Sequence, residues 1–147
     1  MQIKEFGHVV LYVGNLDKSA HFYGDVLGWT EVARTSYNGI MYSSGRTHHE
    51  LFLIELGNDA TPLPQGKHIG LYHIAFKVGD TDEELREALQ TVKEEGIPIV
   101  RLADHAVTHS LYVLDPDGNQ IELYVDVDSN WREHPEAIAS GTKSLKL

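Results

Sequence analysis

An internal repeat constrains the fold of this chain more than any other feature of its sequence. Residues 8–17 read His-Val-Val-Leu-Tyr-Val-Gly-Asn-Leu-Asp, and residues 73–82 read His-Ile-Ala-Phe-Lys-Val-Gly-Asp-Thr-Asp. The His, Val, Gly and final Asp match at one constant offset, which chance similarity rarely produces. In each copy the alternating apolar residues predict a strand, and the Gly-Asx pair predicts a turn into a helix. The sequence therefore predicts two modules of the same architecture.

The segments that follow each copy support this conclusion. Helical spacing predicts one helix over residues 17–27 and another over residues 81–95, where Thr81 and Glu84 form a capping-box pattern. Three strand-like segments come after each helix, and they lie at residues 30–34, 40–44, 49–56, 97–102, 110–114 and 120–125. Each half is therefore predicted to be β-α-β-β-β, and the fold class to be α+β, with the paired modules forming a curved sheet or half-open barrel.

The predicted organisation is a single domain over residues 1–147. Module 1 covers about 4–57 and module 2 about 71–126. The segment 58–70 is rich in Pro and Gly and is expected to link them. The polar tail 127–147 is expected to pack on the domain or on a neighbouring subunit.

Composition narrows the possible functions. The formal net charge of −10 disfavours binding to nucleic-acid phosphates. No apolar run has the length of a membrane helix, and the N-terminus does not resemble a signal peptide, so we expect a cytoplasmic protein without membrane contacts. The chain has no cysteine but nine histidines, so any tight metal site must use imidazole and carboxylate ligands.

Three such ligands are predicted from strand alternation. His8 and His73 occupy equivalent positions of the two modules. By alternation, His8 points away from Val9, Leu11 and Val13, and His73 points away from Ile74, Phe76 and Val78. In the last predicted strand Glu122 likewise points away from the apolar face. If the modules close side by side, the three side chains can converge. Two imidazoles and one carboxylate suit Fe(II), and less selectively Mn, Co, Ni or Zn, with positions left for substrate.

These features resemble the vicinal oxygen chelate superfamily. The resemblance rests on the paired modules, on His8 and His73, and on the segment Asp-Pro-Asp-Gly-Asn-Gln-Ile-Glu-Leu at residues 115–123. It extends over about residues 5–126. The superfamily includes glyoxalase I, fosfomycin-resistance enzymes, bleomycin-binding proteins and extradiol dioxygenases. Because fold does not fix reaction type, the resemblance predicts a metal site more firmly than an activity.

Within the superfamily the chain is most similar to catechol 2,3-dioxygenase-type members with a single pair of modules. The resemblance implies that His49, the second residue of a His-His pair, is the acid–base residue, and that Tyr112, ten residues before Glu122, and His105 lie beside the iron. The gap between His105 and Tyr112 is shorter than in larger relatives, and His109 is the alternative. The implied activity is Fe(II)-dependent extradiol cleavage of a catechol-like aromatic by O2. A homo-oligomer, dimeric or larger, is also expected.

Each residue type suits that chemistry. Imidazole titrates near neutral pH, so His49 can accept a catechol proton and later deliver it to oxygen. Tyr112 and His105 can hydrogen-bond a catecholate oxygen.

Three other functions are alternatives to ring cleavage. A glyoxalase-like lyase or isomerase would add Glu50 as a fourth ligand, but neighbours on a strand face opposite sides, so His49 and Glu50 cannot both enter the site. A non-catalytic binding module could use the same cavity. A fosfomycin-type transferase is disfavoured because no cluster of basic residues is evident for a phosphonate.

Overall fold

The computed structural model describes all 147 residues, which form two sheets with few helices. The strands are β1 (Val9–Val13), β2 (Thr30–Thr35), β3 (Gly39–Ser43), β4 (Leu51–Glu55), β5 (His73–Gly79), β6 (Ile99–Asp104), β7 (Thr108–Leu114), β8 (Gln120–Asp126) and β9 (Lys143–Ser144). The helical segments are α1 (Leu16–Ala20), a π-helical continuation (His21–Val26), α2 (Asp82–Glu94) and two 3-10 segments (Asn130–Arg132 and Pro135–Ala139). The predicted α+β fold class is confirmed.

The chain divides into two compact units, Met1–Leu63 and Pro64–Leu147. Each unit contains one sheet and one main helical segment in the order β-α-β-β-β, and the second unit adds the short strand β9. The division falls inside the Pro- and Gly-rich segment 58–70.

In the first unit the sheet order is β1-β4-β3-β2, with β1 parallel to β4 and the other pairs antiparallel. Leu11 and Val13 of β1 are buried, whereas Val10 and Tyr12, on the opposite face, are 42% and 67% exposed. This is the alternation that the sequence predicted. His8 lies immediately before β1 and is exposed.

The helix of the first unit differs from the single α-helix predicted over residues 17–27. Asn15 caps α1 by accepting a hydrogen bond from the Lys18 N–H at 2.9 Å. After Ala20 the hydrogen-bonding pattern widens to that of a π-helix over His21–Val26, which buries Phe22 and Tyr23. Helical spacing alone does not distinguish the two patterns, because a π segment keeps much of the same buried face.

In the second unit the sheet order is β5-β8-β7-β6-β9, with β5 parallel to β8. Helix α2 buries Leu85 and Val92. Thr81 Oγ1 accepts from the Glu84 N–H at 3.3 Å, and the Glu84 carboxylate accepts in return from the Asp80 N–H at 2.8 Å. The reciprocal capping predicted from sequence therefore forms, with Asp80 as the backbone donor.

Several strand boundaries differ from the prediction. β6 covers Ile99–Asp104 instead of residues 97–102, because Pro98 has no N–H to give to a sheet ladder. β4 begins at Leu51, so His49 and Glu50 precede the strand.

The C-terminal tail packs against the sheet of the second unit, to which it belongs. Strand β9 pairs antiparallel with β6, with Ser144 opposite Ala103 and Lys143 opposite Asp104. The tail therefore extends the second sheet by one strand. No helix in the structure combines the length and apolar character required to cross a membrane.

Candidate functional site

His73 and Glu122 meet in the second unit. They lie on the neighbouring parallel strands β5 and β8, where Glu122 pairs in register with Ala75. The distance from His73 Nε2 to Glu122 Oε2 is 2.9 Å. Glu122 is buried, with 9% of its surface exposed, so this carboxylate depends on its protein neighbours for hydrogen bonds.

Ser110 provides one of those hydrogen bonds. Its hydroxyl, which is fully buried on β7, donates to Glu122 Oε1 at 2.6 Å. The two carboxylate oxygens therefore have separate tasks, since Oε1 is held by the hydroxyl and Oε2 faces the imidazole. Holding one oxygen in this way orients the carboxylate for any partner at the other.

Tyr112 joins these residues from β7, where it lies directly opposite Glu122 in the β7–β8 register. Its ring packs edge-on against the His73 ring, with centroids 5.6 Å apart. On its other side the Arg101 guanidinium lies 4.1 Å from the ring centroid. Burial and the hydrogen bond to Glu122 raise the pKa of Tyr112 to about 12, so the phenol stays neutral and keeps its proton throughout the physiological range.

His105 completes this group from the loop between β6 and β7. Its Nε2 lies 3.0 Å from the Tyr112 hydroxyl. The loop is tight: the His105 N–H donates to the Thr108 carbonyl, and Ala106 has a φ of +70°. The second unit therefore brings together four of the predicted site residues: His73, His105, Tyr112 and Glu122.

His109, the alternative to His105, points elsewhere. Its Nδ1 lies 2.6 Å from Asp82 Oδ1 at the start of α2. Because side chains alternate along β7, His109 occupies the helix side of the sheet while Ser110 and Tyr112 occupy the other. His109 is therefore not part of the group around Tyr112.

The first unit brings three histidines together. The His8 and His49 ring centroids are 4.4 Å apart, and the His48 ring lies 4.5 Å from that of His49. Burial lowers the pKa of His49, and the neighbouring imidazoles of His8 and His48 lower it further. His49 is therefore neutral near pH 7 and able to accept a proton.

Residues of the preceding loop hydrogen-bond to the Glu50 carboxylate. Glu50 Oε2 accepts from the N–H and the hydroxyl of Ser44 at 2.7 and 2.6 Å, and Oε1 accepts from Arg46 Nε at 2.9 Å. Burial alone would raise the pKa of Glu50, but the hydrogen bonds from Ser44 and Arg46 outweigh it, so the pKa is lowered. This carboxylate is ionised and fully occupied.

The premise that His49 and Glu50 face opposite sides because both lie on a strand is wrong, since β4 begins only at Leu51. The two side chains nevertheless separate. The His49 ring packs near His8 and Phe52, and the Glu50 carboxylate turns to Ser44 and Arg46. Glu50 precedes β4, yet its backbone bonds to both neighbouring strands, accepting from the Val9 N–H and donating to the Tyr42 carbonyl.

Neither unit by itself arranges three His, Asp or Glu side chains to hold a metal ion. The donors in the second unit nevertheless fit one. Two ligand atoms bound at about 2.1 Å on adjacent positions of an octahedral ion lie about 3 Å apart. The 2.9 Å between His73 Nε2 and Glu122 Oε2 matches that spacing, and it also suits a direct imidazole–carboxylate hydrogen bond.

Sequence reasoning missed three residues of this group: Arg101, Ser110 and Thr142. Ser110 lies two residues before Tyr112 on the same strand face, so alternation could have identified it. Arg101 lies opposite Tyr112 only because the β6–β7 register shifts between Ile99 and Arg101. Thr142, whose Oγ1 lies 2.9 Å from His105 Nδ1, comes from the tail and leaves no signal in the sequence.

Comparisons with known proteins agree with the fold. The family model described as "Glyoxalase/Bleomycin resistance protein/Dioxygenase superfamily" matches residues 5–123. The crystal structure of a glyoxalase/dioxygenase from Nostoc punctiforme superposes with a TM-score of 0.71 at 21% identity, over 85% of this chain and 92% of that one. At this identity the structural likeness supports the fold alone.

Relatives with different activities match the chain. A catechol-2,3-dioxygenase of Bacillus subtilis is 36% identical over 88% of this chain and 45% of its own length. A lactoylglutathione lyase of Neisseria meningitidis is 34% identical over 79% of this chain and 86% of its own. The chain thus spans less than half of the dioxygenase.

Proposed function

The chain belongs to the glyoxalase/bleomycin resistance protein/dioxygenase superfamily, and from this premise we propose that it is an Fe(II)-dependent extradiol dioxygenase. Its substrate would be a catechol-like aromatic, and both atoms of O2 would enter a ring-opened semialdehyde. Similarity to the Bacillus subtilis catechol-2,3-dioxygenase supports this choice.

The observation that carries the proposal is the hydrogen bond between His105 and Tyr112 beside the His73–Glu122 pair. Metal binding alone requires only ligands. A neutral phenol supported by an imidazole, next to the ligands, supplies a donor that can hold a charged oxygen of a bound substrate. A diol that binds through two adjacent oxygens needs such a partner.

In this proposal His8, His73 and Glu122 hold the iron. When bound, Fe(II) would supply Lewis-acid and redox chemistry for a diol and O2. Ser110 keeps Glu122 oriented through Oε1, which leaves Oε2 for the ion. The three ligands are all of the type that non-haem Fe(II) accepts, with coordination positions left for substrate.

The remaining residues handle protons. The lowered pKa of His49 leaves its imidazole unprotonated near pH 7, and in this proposal it accepts the proton of the second hydroxyl and returns it later to oxygen. Tyr112, with its pKa raised to about 12, keeps its hydroxyl hydrogen, which it gives to Glu122 in the metal-free protein and would give to a substrate oxygen when iron occupies that carboxylate.

The test is O2 consumption. Protein loaded with Fe(II) without air is mixed with O2 and a panel of catechols that differ in ring substituents. We expect O2 uptake and a yellow ring-opened product with at least one of them. If no catechol supports either signal, the proposed function is wrong, and binding of an aromatic without O2 uptake would indicate a sequestering module.

His49→Ala tests the assigned proton transfer. Because His49 is proposed as a base and not as a ligand, the variant should lose turnover about 100-fold or more while it retains iron. His134→Ala is the control, since His134 is an exposed histidine of the tail whose ring lies 3.3 Å from the Glu136 carboxylate, and it should retain turnover. Loss of iron from His49→Ala would contradict the role given to this residue.

A glyoxalase-like lyase or isomerase is the second candidate, and the lyase of Neisseria meningitidis favours it. That reaction would use Glu50 as an additional ligand. In this structure Ser44 and Arg46 occupy the Glu50 carboxylate. Glu50→Gln should therefore leave iron content unchanged, and a loss of iron from this variant would favour the lyase.

A further inference from the structure

The C-terminal tail reaches the candidate site through one side chain. Thr142 lies directly before strand β9, and its Oγ1 is 2.9 Å from His105 Nδ1. The pairing of β9 with the end of β6 fixes the place of Thr142, because Lys143 lies opposite Asp104, the residue before His105. The contact is therefore built by the sheet.

The Tyr112 oxygen determines which way the hydrogen bonds in this group run. His105 Nε2 lies 3.0 Å from it, and a side-chain hydrogen bond to Glu122 is one of the causes that raise the Tyr112 pKa. A carboxylate oxygen accepts, so in the metal-free protein Tyr112 gives its one hydroxyl hydrogen to Glu122. The Tyr112 oxygen then accepts from His105, which must carry a hydrogen on Nε2.

The direction of these hydrogen bonds determines what the Thr142 hydroxyl does. A neutral imidazole with its hydrogen on Nε2 has a bare Nδ1, which can only accept. The Thr142 hydroxyl can donate to it. We propose that Thr142 is a positioning residue, which donates its hydroxyl hydrogen to His105 Nδ1 and so holds the Nε2–H of that ring on the Tyr112 oxygen. The chain of donors runs from Thr142 through His105 and Tyr112 to Glu122.

The role in turnover rests on the proposed ring-cleaving function, but the direction of the hydrogen bonds does not. Other restraints on His105 act on its backbone, through hydrogen bonds to Thr108 and Val107. Thr142 is the side chain that acts on the far nitrogen of the ring. Without it, the imidazole is held at one nitrogen only and can turn away from Tyr112.

The experiment compares Thr142→Val, which removes the hydroxyl at nearly constant shape, with Thr142→Ser, which keeps it. The readout is the imidazole ¹⁵N NMR spectrum of the metal-free protein, with His105 assigned from the spectrum of His105→Gln. Ser140→Ala is the control within the tail, because its hydroxyl bonds only to the Ala137 carbonyl at 2.6 Å.

In the wild type, in Thr142→Ser and in Ser140→Ala, we expect an unprotonated, hydrogen-bonded Nδ1 of His105. In Thr142→Val, the Nδ1 resonance should move to that of an unprotonated nitrogen without a donor. The proposal is overturned if Nδ1 carries the hydrogen in the wild type, if Thr142→Val matches the wild type, or if Thr142→Ser matches Thr142→Val.

Turnover gives a second readout on iron-loaded protein. Loss of one neutral hydrogen bond behind the acting residue should lower kcat roughly 3- to 10-fold in Thr142→Val, with recovery in Thr142→Ser. If Thr142→Val keeps the wild-type kcat, the positioning role is wrong and ring cleavage stands. If the wild type itself cleaves no catechol, the proposed function is wrong, and the NMR comparison still decides the direction of the hydrogen bonds.

Discussion

At the scale of single residues, the site is organised around one buried carboxylate. Glu122 receives a hydrogen bond from Ser110 at one oxygen and faces His73 at the other, while Tyr112 donates from the neighbouring strand. Burial of a charge is unfavourable unless its hydrogen bonds are satisfied. The residues around Glu122 therefore satisfy its hydrogen bonds and fix its orientation.

Ser110→Ala should weaken iron binding. Removal of the hydroxyl leaves Glu122 Oε1 without its 2.6 Å donor, so the carboxylate can rotate, and affinity should fall roughly 10- to 100-fold. Anaerobic titration with Fe(II) measures this. Ser19→Ala is the matched control, because Ser19 is equally buried but its hydroxyl has no hydrogen-bond partner. Equal affinity in the two variants would contradict the role of Ser110.

Because of Tyr112, the free energy of unfolding should depend on pH in the alkaline range. Its pKa is raised in the folded protein, so its stabilising contribution is complete below pH 10 and is lost as pH rises towards 12. Between pH 9 and pH 11 the wild type should lose about 1.3 kcal/mol more unfolding free energy than Tyr112→Phe does. Urea unfolding at pH 9, 10 and 11 measures the difference, and parallel pH profiles for the two proteins would refute it.

At the scale of elements, the repeat encodes the entry into each helix. The Gly of the second copy, Gly79, is needed because the Glu84 side chain folds back over it, and a Cβ at Gly79 would lie 2.3 Å from Glu84 Cδ. The same Glu84 carboxylate accepts from the Asp80 N–H and the Thr81 hydroxyl. A small residue and a cap are therefore parts of one structural unit at the start of α2.

Gly79→Ala should displace Glu84 and open this cap. Loss of the capping interactions should lower the free energy of unfolding by about 1 kcal/mol. Chemical denaturation measures the change. Gly7→Ala is the control, since a Cβ at Gly7 meets nothing within 4 Å and its φ is not positive, so it should change stability little. A similar loss in both variants would argue against a specific cap effect.

At the scale of the whole molecule, the proposed ligands come from both units. His8 belongs to Met1–Leu63, whereas His73 and Glu122 belong to Pro64–Leu147. A net charge of −10 favours the approach of a divalent cation. A ligand that binds only the folded form stabilises it, so iron bound at the proposed ligands would add to the stability of the folded chain.

Iron should therefore stabilise the wild type against heat. At an Fe(II) concentration about 100 times the Kd, the expected gain is about 2.7 kcal/mol, measured as a rise in Tm without air. His8→Ala and His73→Ala should each lose most of this gain. His134→Ala, an exposed histidine of the tail, should keep it. A full gain in His8→Ala would mean that residues of the second unit hold the ion without it.

The sequence by itself determined the two modules, their α+β class, the burial of alternate residues in β1 and the capping of α2. These features depend on local periodicity and on turn chemistry, which are present in any short window of the chain. The constant offset of the repeat added the equivalence of His8 and His73. Glu122 was found from strand alternation, and Tyr112 from the family resemblance. The two residues lie opposite each other in the β7–β8 register.

Only the tertiary structure decided the partners of these residues. Hydrogen bonds to Ser44 and Arg46 hold the Glu50 carboxylate apart from His49, and a register shift in β6 placed Arg101 on Tyr112. The pairing of β9 brought Thr142 to His105 across 37 positions of the chain. Such contacts depend on where a strand starts and on which edge a tail adds to. Both are set by competition among many backbone hydrogen bonds, which no local pattern records.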